Sequence, residues 1–215
     1  MKLKKLALLT ASILCMGASA VWANSFQVVD AKIGTNVAGP EVISKTTLLH
    51  TPKSPTEVVL KPQALTLSRQ GQDQWIALNN NPTRAGVMAF INDEEPNKVF
   101  YLVDLKQKQA NKKKPVKTQT VYGFDDTTNT WKTYLTNDQV PGETGRFDYK
   151  VIRGVKDGML VAIHGHAQHT GKEVTLTNDV YDMTWDKDKQ AFGYKKIETK
   201  SVTVPQDKVH QQGLR

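Results

Sequence analysis

The sequence predicts an all-β protein of antiparallel hairpins, forming one β-sandwich or barrel or two small immunoglobulin-like sandwiches. Three observations lead there. Apolar and polar residues alternate with period two from about residue 57 onward. Turn-forming clusters recur every 8–15 residues or so, the spacing of sandwich and barrel strands. A sustained helical period is missing.

The elements follow in order. Glu57–Leu60 and Ala64–Leu67 read as short extended pieces around Pro62, and Gln74–Leu78 and Ala85–Ile91 as two more. The polar run Asn92–Asn97 is a turn, after which Val99–Leu105 returns as an apolar strand. Thr118–Phe124 and Thr130–Leu135 flank a turn at Asp125–Asn129. Arg146–Arg153 sets Phe147, Tyr149 and Val151 against Asp148 and Lys150. Gly154–Gly158 then turns the chain into Met159–His166. Val174–Thr184 and Phe192–Val204 close the series around Asp186–Lys189.

The first 23 residues have the form of a secretory leader: Lys2, Lys4 and Lys5, an apolar run from Leu6 to Met16, then small residues up to Ala20 and Ala23. Cleavage after Ala23 removes Cys15, the only cysteine, and so excludes disulfides and thiolate chemistry from the exported chain. It also takes three lysines from a net charge of +8 and leaves +5. A basic surface favours anionic partners such as an acidic glycan or a lipid headgroup, while export disfavours nucleic acid. No later stretch reaches the 18 or so apolar residues of a membrane helix. The expected location is the periplasm, the cell surface or the medium.

Residues 24–56 form an N-terminal arm that reads most plainly as a disordered leader, although Phe26, Val28 and Val29 can add a strand to this protein or to a partner by edge pairing. The basic stretch 106–117 is poor strand material and reads as a loop or linker. It separates a first β unit at 57–105 from a second at 118–215; the alternative is one β domain over 57–205.

Three of the five histidines fall within six residues, His164, His166 and His169. Along a strand His164 and His166 share a face with Leu160 and Ala162, with His169 approaching from a turn. Imidazole nitrogens so placed suit zinc or copper. The segment is similar to the metal motif of metallo-β-lactamase-fold hydrolases, but Gln168 stands at the acidic ligand's place and that fold's downstream ligands are missing, so its hydrolytic chemistry is set aside. No Gly-x-Ser-x-Gly elbow occurs. The carboxylates gather in turns (Asp93, Glu94, Glu95; Asp125, Asp126; Asp186, Asp188), where solubility explains them.

The stretch Leu60–Pro82, a proline-led strand, a glycine turn, an apolar strand and an Asn-Pro bend, resembles the opening of immunoglobulin-like domains in periplasmic pilus chaperones. That resemblance implies envelope assembly. Two functions are expected: a non-enzymatic exported protein that binds or assembles envelope or surface-appendage components, with no cofactor, or a periplasmic zinc- or copper-binding protein using the histidine cluster.

Overall fold

The computed structural model of the chain describes residues 24–29, 33–34, 57–61, 64–78, 82–107, 116–143, 145 and 148–208. The leader, most of the N-terminal arm, the lysine run at 112–114, Arg146 and Phe147 lie outside the described residues.

The first strands are β1 (Phe26–Val29), β2 (Ile33–Gly34), β3 (Glu57–Lys61), β4 (Ala64–Arg69) and β5 (Gln72–Ala77). The long strands β6 (Pro82–Asn92), β7 (Glu95–Gln107), β8 (Val116–Asp125) and β9 (Thr130–Thr136) follow, then a short 3-10 turn at Asn137–Gln139. The chain continues through β10 (Tyr149–Lys156), β11 (Met159–Thr170), β12 (Glu173–Asp186) and β13 (Ala191–Pro205). They build three open sheets, ordered β1-β6-β7-β8-β9, β10-β11-β12-β13 and β2-β3-β4-β5. Every pairing is antiparallel except β2 with β3. The fold is all-β and sandwich-like; of the two closures the sequence left open, the barrel is not formed.

Period-two patterning explains how one sheet serves two cores. On β7, Val99, Tyr101, Val103 and Leu105 point into a cluster with Leu65, Leu67 and Ile76 from the sheet of β2–β5. Phe100 and Leu102, one residue out of phase, point the other way into a cluster with Ile152, Leu160, Ala162, Met183 and Trp185 from the sheet of β10–β13. The five-stranded sheet is therefore the middle layer, buried on both faces. β7 pairs with β8 from Phe100–Gly123 to Gln107–Val116, so the basic stretch joins neighbouring strands of one sheet. The boundary drawn between a first and a second β unit runs through this middle layer.

The arm contributes a strand, as its apolar residues allowed: β1 pairs with β6, Phe26 opposite Asn92. Asn24, just before it, reaches the outer layer. Its Oδ1 accepts the Trp185 amide at 2.8 Å and its Nδ2 donates to the Trp185 carbonyl.

The β10–β11 turn sets the register of the layer that carries the site. Asp157 and Gly158 both have positive φ, 51° and 79°, the conformation of a two-residue hairpin turn whose twist matches its strands. From that turn the pairing runs outward from Lys156–Met159, shifts by one residue at a bulge between Ile152 and Gly154, and continues to Lys150–His164. Among the described residues no helix is long and apolar enough to cross a membrane.

Candidate metal centre

β11 fills the span between the turns at Asp157–Gly158 and Gly171–Lys172, and it runs without a bulge against β12. Period two therefore holds along it. Leu160 and Ala162 are sealed in the core between the sheets, and His164 and His166 follow them on the same face. β12 sets Asp179 directly opposite His164. The ligand-capable atoms of His164, His166 and Asp179 all lie within 4.8 Å of one another. The two imidazoles are 5.2 Å apart, centroid to centroid, and tilted by 33°.

His169 sits elsewhere. β11 extends through it, so no turn brings it back, and its odd position places it opposite Val174 on the other face of the sheet. Of the three predicted histidines the structure brings His164 and His166 together, and adds Asp179 to them in place of His169.

His164 is only 5 % exposed, and its Nε2 is buried without a hydrogen-bond partner. The Nδ1 of His166 is in the same condition. Buried polar nitrogens are normally satisfied, and leaving one orphaned disfavours the fold by roughly 1–3 kcal/mol. Two such nitrogens on side chains clustered with a carboxylate are groups that could hold a cation. The Asp148 Oδ2 stands 3.7 Å from His164 Nε2, beyond hydrogen-bonding distance.

The surroundings hold these groups in place. Asp179 Oδ1 accepts Thr199 Oγ1 at 2.5 Å and Lys196 Nζ at 3.0 Å, both from β13, so both bonds fall on one oxygen. The Thr199 bond, then Lys196, keeps the Asp179 carboxyl below the usual carboxylate range against the opposing pull of burial. The same two bonds favour the ionised carboxylate. Lys150, which faces His164 in register, donates its Nζ to the Asp138 carbonyl at 3.2 Å.

Two glycines make room. Gly142 lies flat against the His164 imidazole, where a Cβ would overlap the ring. Gly165, between the two histidines, carries the Tyr149 ring on the opposite face, and the Tyr149 hydroxyl donates to Asn178 Oδ1 at 2.7 Å. Sequence reasoning missed Asp179 and Asp148. The alternation along 174–184 put Asp179 on one face, but only the register across strands could say which histidine it meets.

Asp125 and Asp186 behave as the sequence reading expected of turn residues, whereas Glu95, at the start of β7, accepts the Trp185 indole N–H at 2.6 Å and Asp126 pairs with the buried Arg69 at 2.9 Å. Asp125 Oδ1 accepts the amides of Thr127 and Thr128 at 2.9 and 3.3 Å, and Asp186 Oδ1 those of Asp188 and Lys189 at 3.1 and 3.0 Å.

Compared with known proteins, the chain matches no protein-family model, no curated sequence and no solved structure.

Proposed function

We propose that this is an exported, non-enzymatic β protein that binds a divalent metal, zinc or copper, through His164, His166 and Asp179. The observation that carries the reading is the pair of buried, partnerless imidazole nitrogens beside an anionic carboxylate on the neighbouring strand. Neutral imidazole and carboxylate are zinc ligands. Divalent copper accepts the same imidazole and carboxylate ligands, whereas reduced copper prefers sulfur, and the only cysteine is Cys15 in the leader. Delivery outside the cytoplasm rests on that leader.

Calorimetric titration of the purified exported protein with zinc tests it. A single site with micromolar or tighter affinity, lost in His164→Ala, is the expected result. Millimolar or absent binding by the unaltered protein removes the reading.

A second reading, binding or assembly of envelope or surface-fibre components, is favoured by a different observation. The outermost strands β5 and β13 carry large apolar side chains in solvent, among them Trp75 at 58 % and Tyr194 at 56 % exposure. Edge strands with such side chains suit strand addition by a partner. Crosslinking in envelope fractions tests this; a lone monomer argues against it.

A further inference from the structure

We propose that Asp148 is the fourth ligand of this centre, closing it into a structural N2O2 zinc site that ties the start of β10 to β11 and β12. The inference rests on the metal reading above and deepens it: three protein ligands leave a position open for water or substrate, whereas four make a closed, structural site.

The placement of Asp148 carries the argument. Its Oδ2 lies 3.7 Å from the orphaned Nε2 of His164. Two ligand atoms on a tetrahedral zinc with bonds of about 2.0–2.1 Å are separated by about 3.3 Å, so a shift of a few tenths of an ångström brings this pair to ligand spacing. A larger swing of the Asp148 carboxylate brings it to His166 and Asp179, whose 4.8 Å cluster with His164 it does not join as it stands. The carboxylate is nearly buried, 12 % exposed at its side chain, and Oδ2 also accepts the Gly145 amide at 2.6 Å. Such a bond from behind the first ligands fixes orientation and is a regular feature of built metal sites. Gly142, with φ at +109° and no side chain, lets the backbone ahead of β10 lie against the His164 ring.

The site so completed takes one ligand from before β10, two from β11 and one from β12. Those strands belong to one outer layer, and their site end extends past Leu160, Ala162 and Met183, the residues that pack on the middle sheet. Beyond that core the side-chain ties between β12 and β13 include the buried pair Val174 and Val204 and two hydroxyl pairs, Thr177 to Ser201 and Thr175 to Thr203, each at 2.9 Å. A metal crosslink there does what a disulfide would do in a chain that has no cysteine after the leader.

Cobalt substitution tests the inference without relying on any variant. With four protein ligands, the visible spectrum of the cobalt-loaded protein has tetrahedral intensity and does not respond to added azide. In Asp148→Asn, zinc affinity falls at least about tenfold and the cobalt spectrum becomes azide-sensitive, while the melting curve in EDTA matches the parent and reports an intact fold. An azide response in the unaltered protein, or an Asp148→Asn variant that binds zinc as the parent does, overturns the fourth ligand and leaves the metal reading standing. Failure of the unaltered protein to bind zinc or cobalt overturns both.

Discussion

Gln119 on β8 spends both ends of its side-chain amide on one residue of the outer layer. Its Oε1 accepts the Ile152 amide at 2.7 Å, and its Nε2 donates to the Ile152 carbonyl at 2.7 Å. β10 is the edge strand of its sheet, so the outward-facing backbone of Ile152 has no neighbouring strand on that side. A buried glutamine, 2 % exposed, substitutes for one. Asn24 does the same for Trp185 on β12.

Replacing Gln119 by leucine therefore strands a buried N–H and a buried C=O together. The expected loss is about 2–4 kcal/mol, read as a lower urea midpoint with an unchanged slope. Should Gln119→Leu keep the parent's midpoint, the two hydrogen bonds contribute nothing to holding the layers.

Gly165 supports the Tyr149 ring, which a Cβ would strike. Gly165→Ala should force the ring off the sheet and break its bond to Asn178, whereas Tyr149→Phe removes only the hydroxyl. The glycine variant is expected to be the more damaging, with Tyr149→Phe near 1 kcal/mol. Gly165→Ala should also weaken zinc binding, because His164 and His166 flank the displaced backbone. Thermal melting and zinc titration of the two variants check the order.

Much of the fold was legible because strands announce themselves locally. Val99–Leu105 reads as a strand from its nearly continuous apolar run, and the pleat splits those side chains between two cores. His164 and His166 were placed on one face by period two alone. His169 shows where that logic was applied too loosely: three residues from His166, it falls on the other face unless the strand stops, and β11 does not stop. Asp179, Asp148 and the Gln119 bridge to Ile152 depend on pairing and layer stacking between residues 15 to 33 positions apart. No local pattern encodes that. The middle layer was hidden for the same reason, since the basic stretch between β7 and β8 breaks the alternation without breaking the sheet.

Tyr134 predicts an alkaline limb. Burial, with the negative charges of Asp125 and Glu95 adding to it, pushes its phenol up to about 12. Its ring packs edge-on to Phe100 and Trp185, with centroids 5.6 and 5.4 Å away. An unfolded tyrosine ionises near pH 10, so the folded state retains the proton longer. This contribution is complete below about pH 10 and is lost as pH rises toward 12. Tyr134→Phe should flatten the decline in stability across that window, and absorbance titration of the phenolates should lose its highest-pH component.

Lys196 and Thr199 share one oxygen of Asp179 but should affect zinc in opposite directions. Thr199 donates from a neutral hydroxyl, so it orients the carboxylate without opposing the ion. Thr199→Val should weaken zinc binding, by about tenfold if it acts as an orienting partner of a ligand. Lys196 also orients, but it brings a positive charge to the edge of a site for a dication. The lysine is half exposed, so water and salt screen it, and its repulsion is worth about 1 kcal/mol at low ionic strength. Lys196→Met should therefore tighten zinc binding by about fivefold, and the gain should shrink as salt is raised. Titrating both variants at low and high salt separates the charge from the orientation. Equal weakening in both, insensitive to salt, would mean that Lys196 matters only as a hydrogen-bond donor to Asp179.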